Sequence, residues 1–162
     1  ITTIEKLILR VDGVVKIHQL RTRSMGRDVF IDVHILVTPH ISVSEGHFIA
    51  QHVHVALMDA LEQVKDVTVH VDPEDDETCC PSLHLPSRDK LEKQLLIPWR
   101  KDYPAIQSWV LHYLDGKLII DLFFDQKFND WPALNKRIQA DLLEPLQIER
   151  VRLFAQYKEI QL

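Results

Sequence analysis

Residues 67–72 read VTVHVD: three alternating valines, with a histidine and an aspartate in the gaps. Val67, Val69 and Val71 fall on one face of a strand, so His70 and Asp72 share the other. A second strand repeats the arrangement. Val29, Ile31, Val33, Ile35 and Val37 share one face, and His34 lies opposite with Phe30 and Asp32. His18, on a first strand, joins them if its neighbour Ile17 points inward. Three imidazoles and a carboxylate then converge on one side of a small sheet. These are the donor types that bind divalent first-row metals. Taken singly, each histidine is an ordinary solvated residue, and His70 and Asp72 are neighbours by strand geometry alone. The convergence of three strands is what points to a metal site. Glu74, Asp75, Asp76 and Glu77 follow; such a run is usually a solvated turn, and here it would also concentrate cations.

The elements that must hold these residues are legible from periodicity. Ile4, Leu7, Ile8 and Val11 mark a helix with one apolar stripe, ended by Asp12-Gly13. VVKIHQLRTRS and DVFIDVHILVTP form an antiparallel hairpin across SMGR. A second helix opens with Ser42 and Glu45 in capping-box spacing. Its stripe is Ile49, Val53, Ala56, Leu57, Ala60 and Val64. KDVTVHVDP is a third strand, closed by Pro73. The order is α-β-β-α-β, an open-faced α+β sandwich over residues 1–76.

Residues 77–87 are proline-containing and aperiodic, and are expected to form a linker. The order then starts again over residues 88–162. A helix from Arg88 is expected to stop or kink at Pro98. A hairpin turns at Asp115-Gly116. A helix is N-capped by Asp130 and ends near Pro145, and IERVRLFAQYK is a last strand. Element order places Asp121 opposite His34, and Phe154 and Gln156 near the places of His70 and Asp72. The second unit would then have lost the site, and its role is unknown.

The 162 residues are 46% hydrophobic and 27% charged, with 24 acids against 19 bases. A net charge of −5 offers no basic surplus to attract nucleic acid or an anionic membrane. Nine histidines are the outlying count, and two adjacent cysteines, Cys79 and Cys80, make no disulfide framework. They suit a reducing compartment. No apolar run approaches the ~20 residues that span a bilayer. The chain begins without methionine and is expected to be a piece of a longer protein.

The stretches VDGVVKIHQLRTRSMG, FIDVHILVTPHISVSEGHFIA and DVTVHVDPEDD resemble the cytoplasmic C-terminal domain of the cation diffusion facilitator family, membrane transporters that export divalent metals. The resemblance covers residues 1 to about 76. It implies a ferredoxin-like fold, a two-fold homodimer and a binuclear site of His18, His34, His47, His70 and Asp72. His47 matches the histidine of SEGH on the second helix, and must reach round the sheet to join the others. The implied ions are divalent, zinc first, with iron, manganese, cobalt or cadmium as alternatives. The resemblance further implies an upstream transmembrane domain in the same chain, a place on the cytoplasmic face of a membrane (a bacterial inner membrane is expected), and a regulatory role without enzymatic activity. No catalytic residue and no organic cofactor are expected.

Other candidates are weaker. Cys79, Cys80 and His84 form either a soft-metal site or reduced thiols on a linker. His52 and His54 lie off the apolar stripe of the second helix and are expected to be solvated, and His40 to be a loop residue. His112 is expected to be half-buried and satisfied; Trp99, Trp109 and Trp131 belong to a core or an interface. Two rival readings exist. A binuclear metallohydrolase would need a general base that no motif supplies. A free-standing metal buffer or chaperone would have the same ligands without a membrane segment upstream.

Overall fold

In the computed structural model, residues 2–125, 127–142 and 147–156 are described. The chain divides into two compact units, Ile1–Cys79 and Cys80–Leu162.

The first unit has the α-β-β-α-β order expected: α1 (Thr2–Ile8), β1 (Lys16–Met25), β2 (Asp28–Leu36), α2 (Val43–Ala60) and β3 (Val64–Asp72). The β1–β2 hairpin closes through Gly26 and Arg27, with Gly26 at φ +65. β2 runs parallel to β3, so the chain must cross over, and α2 is the crossover. β2 is therefore the central strand. Ile31, Val33 and Ile35 of β2 and Val67 of β3 point to one face and pack on Ile8 of α1 and Ile49, Val53 and Leu57 of α2. Each fully buried side chain of this kind contributes about 1.5–3 kcal/mol. With both helices feeding one core, the polar face of the sheet is left to the histidines.

α2 begins as its sequence dictates: Ser42 Oγ accepts from the Glu45 backbone N–H at 3.1 Å. It ends earlier than its stripe suggests. Ala60 is exposed, and Val64 is the first residue of β3, paired with Val29. Val64 is buried as a strand residue, and burial alone does not distinguish the two cases. Gly46 carries no side chain where one would meet Val71 at 3.2 Å, so the first turn of α2 lies close against the end of β3.

The second unit repeats the plan. A helical segment comprises α3 (Arg88–Leu91), a π turn (Glu92–Leu96) and α4 (Ile97–Asp102). β4 (Ile106–Leu114), β5 (Lys117–Asp125), α5 (Trp131–Asp141) and β6 (Ile148–Gln156) follow. Pro98 does not stop the helix. The π turn just before it re-registers the hydrogen bonds, with the Ile97 N–H reaching back to Glu92 O, and Pro98 falls in the first turn of α4, where its missing N–H costs least. Asp115 and Gly116 both have positive φ, 50 and 68, the geometry of a two-residue hairpin turn. Asp130 occupies the N-cap of α5, but its side chain makes no capping bond. Pro145 and the last residues of the final-strand stretch, Tyr157 and Lys158, lie outside the described residues. Trp99 is fully buried in the core, with Trp109 and Trp131 packed against it.

The hydrogen-bond register corrects the alignment of the two units. β1 slips between Ile17 and Gln19 against β2, and β4 slips between Ile106 and Ser108 against β5. β2–β3 and β5–β6 slip at matching places too, after Val29 and after Leu118. Counting from these slips, Asp121 corresponds to Asp32, two residues from the place element order gave it. Phe123 corresponds to His34, Phe154 to His70, and Gln107 to His18. Element order has no anchor finer than a turn, and a two-residue error leaves every side chain on its proper face.

Candidate metal centre

The bulge in β1 decides where His18 points. Ile17 pairs with Ile35 and packs on the core, while Gln19 already pairs with His34. The extra residue, His18, is turned toward the open face, and its side chain is only 7% exposed. There His18 Nε2 lies 2.8 Å from Asp72 Oδ2. His34 Nδ1 lies 2.9 Å from the same oxygen. One carboxylate oxygen thus faces two imidazole nitrogens from two other strands. Ligand atoms of His18, His34 and Asp72 all lie within 4.8 Å of one another, close enough to share an ion.

A second group adjoins the first. His34 and His70 stack face to face, 4.1 Å apart and 6° from parallel, as their register partnership on neighbouring strands requires. His70 Nε2 lies 3.1 Å from Asp32 Oδ1. Asp32, His34 and His70 also bring ligand atoms within 4.8 Å. Asp32 Oδ1 is shielded from solvent, yet it has no hydrogen-bond partner. The His70 nitrogen is its nearest charged neighbour, 3.1 Å away. An unmet buried polar atom costs about 1–3 kcal/mol, more when charged.

Four of the five expected ligands, His18, His34, His70 and Asp72, therefore gather on the open face. His47 stands exposed in the first turns of α2 and belongs to neither group. Two residues the sequence reading passed over do belong here. Asp32 was signalled by alternation, which put it on the face of His34. Asp75 was hidden in the acidic run. Its turn, closed by Thr78 and Cys79 N–H groups on its own carbonyl, swings the carboxylate back toward β1. Asp75 Oδ1 comes 3.4 Å from His18 Nδ1, and Oδ2 accepts from Lys16 at 2.9 Å. The Lys16 hydrogen bond holds the Asp75 carboxyl below its ordinary value, so it stays ionised beside His18.

The remaining candidates fall elsewhere. His54 is not simply solvated: its Nδ1 lies 2.9 Å from the Val67 carbonyl. His52 is exposed, with its ring against Phe48. His40 is exposed. His112 is mostly buried, 3.0 Å from Asp121. Cys79 and Cys80 are free thiols, and neither they nor His84 fall in a ligand group among the described residues.

The class is set by this much: an open-faced α+β sandwich with a histidine–carboxylate cluster on its bare sheet face. Residues 1–74 match the family described as cation efflux protein, cytoplasmic domain. Metal tolerance protein 2 of Oryza sativa subsp. japonica is 41% identical over 68 residues, 42% of this chain and 18% of that protein. Metal tolerance protein C1 of Arabidopsis thaliana is 39% identical over 70 residues, 43% of this chain and 15% of that protein. The chain thus spans less than a fifth of the length of these relatives. Among solved structures, a nickel form of a MamM CTD variant is 26% identical with a TM-score of 0.44, over 46% of this chain and 94% of that one. Among the described residues no helix is long and apolar enough to cross a membrane.

Proposed function

We propose that the first unit, residues 1–76, is a regulatory domain of a divalent-cation exporter, acting from the cytoplasmic side on a membrane domain upstream. The observation that carries this reading is the double approach of His18 and His34 to one oxygen of Asp72. Two imidazoles and a carboxylate, delivered by three strands of a fixed sheet, form a preorganised set for a dication, and zinc suits it best. The relatives' names, metal tolerance proteins, support the same substrate class.

The ion regulates and does no chemistry. Without it, the cluster is held by shared protons; with it, the dication replaces them and draws β1, β2 and β3 together. His47, which resembles a ligand of the family, is expected to join when the α2 end moves or a second copy approaches. Two copies would pair through the open face, which carries Phe30 and Leu36 beside the ligands. The ion biases their arrangement by its difference in affinity between arrangements. A coupling of about 1–3 kcal/mol would shift the balance roughly 5- to 150-fold. Protons compete for the imidazoles, so binding weakens as pH falls.

Calorimetric titration of the chain with zinc tests the reading. Zinc should bind, and the His70→Ala, Asp72→Ala double variant should lose most of that binding. Unchanged binding in the variant would overturn the site.

A further inference from the structure

The charge of the first unit is unevenly spread. The net charge of −5 offers an anionic surface nothing when taken as a whole. Yet from Gly13 to Arg27 the chain holds Lys16, Arg21, Arg23 and Arg27 and no acid. Lys16 is engaged by Asp75. The side chains of the three arginines make no ion pair or hydrogen bond among the described residues. They stand on the β1–β2 hairpin, where residues 21–28 are all exposed. The strand ladder stays paired to the tip, with Arg23 opposite Phe30 and Met25 opposite Asp28. The guanidinium groups therefore project from a fixed element. Asp28 is the one acid in that exposed stretch. Asp66, beside Phe30 on β3, has one oxygen engaged by the Val67 N–H. The hairpin tip is thus a basic end on an acidic unit.

The same tip carries apolar surface. Met25 is 70% exposed. Arg23, Met25 and Phe30 share one face of the hairpin, and with Ser24 they line an open cleft of about 540 Å³. Free guanidinium groups around an exposed apolar side chain make an interfacial element: the cations meet phosphates while the apolar group leaves water. We propose that the tip of the β1–β2 hairpin docks on an anionic phospholipid surface. Arg21, Arg23 and Arg27 take the headgroup phosphates, whose geometry suits the guanidinium fork, and Met25 enters between headgroups. Met25 lies roughly 20 Å along β1 from His18, so this surface is separate from the metal centre. The proposal rests on the reading of the unit as one that acts beside a membrane, which brings a bilayer within reach, but it does not need the ion. Each arginine near such a surface strengthens binding about fivefold. Three make a weak, reversible contact, which a tether to the same membrane would raise by effective concentration.

Co-sedimentation of the full chain with vesicles tests this, in EDTA so that no dication bridges protein and lipid. Phosphatidylcholine vesicles are compared with vesicles in which about a third of the lipid is phosphatidylglycerol. The chain should sediment with the anionic vesicles alone, and salt at about 0.5 M should release it. Arg23→Gln with Arg27→Gln should weaken binding about 25-fold, and Met25→Ser should weaken it without changing its salt dependence. Lys101→Gln with Lys136→Gln removes as much charge from exposed places in the second unit and should change nothing. Circular dichroism confirms folding throughout. Equal binding to neutral vesicles, retention by the folded arginine variant, or an equal loss in the lysine variant would each overturn the proposal. Poly-glutamate is the rival probe: if it binds the tip and vesicles do not, the surface takes an acidic protein segment and the membrane proposal is overturned. Zinc calorimetry separates the two readings. The arginine variant should bind zinc as the unaltered chain does, so a failure with vesicles leaves the metal reading standing, and a chain that binds vesicles but no zinc overturns the metal reading alone.

Discussion

Asp121 shows what a paired carboxylate does in this fold. Burial pushes its carboxyl up, but hydrogen bonds from Arg152 and His112 outweigh burial and leave it below the ordinary aspartate value of 3.8. A depressed value in the folded state means stability that is complete above the unfolded value and lost as pH falls through the folded one. We therefore expect Asp121→Asn to destabilise the second unit by about 3 kcal/mol at neutral pH, since it strands a partly buried guanidinium. It should also flatten the loss of stability below about pH 4. Denaturant melts of both proteins from pH 7 to 2 measure this, and an equally steep acid limb in the variant would assign the loss to other groups. At this scale the sequence was informative wherever alternation applied: His34, His70 and Asp72 lie on the face their spacing assigns. It was silent where geometry departs from alternation. The side His18 faces depends on a bulge, and the approach of Asp75 depends on a turn after Pro73. Neither leaves a periodic mark.

The elements were largely legible because each half carries a strong apolar period and clear turn residues. Ser42 caps α2 as its spacing requires, and Asp115-Gly116 turns β4 into β5. The sequence misled where two structures share one signal. Val64 is as well buried at the start of β3 as it would have been at the end of α2. Pro98 marks a break only if the helix has no other way to satisfy its carbonyls, and the π turn provides one. Among the described residues each unit has a buried apolar cluster of its own. A fragment ending near residue 80 should therefore fold and keep its zinc binding. Nuclear magnetic resonance and calorimetry on that fragment check this. A folded fragment that binds nothing would show that residues 88–162 supply ligands.

At the scale of the whole molecule, the proposed pairing of two copies follows from the bare sheet face of the first unit. Phe30 and Leu36 are only half-exposed yet lie on the face opposite the one packed on α1 and α2. We expect light scattering at tens of micromolar to give a dimer mass; a monomer with and without zinc would count against the pairing. Spin labels on the two protomers, titrated with zinc, should show their separation shorten if the ion drives closure. A distance distribution unchanged from ion-free to saturated would leave the ion as a static clamp.

The matching slips at His18 and Gln107 carry a consequence for what the fold tolerates. None of His18, His34 and His70 belongs to the buried apolar cluster. Ligands there can be exchanged without disturbing the packing that folds the unit. Phe123 and Phe154 stack 5.2 Å apart where the first unit stacks two imidazoles, so the same contact is made with different chemistry. The second unit has the same strand register with different side chains on the equivalent face. By the same logic, a metal set built at Gln107, Phe123 and Phe154 would require new side chains but no new fold.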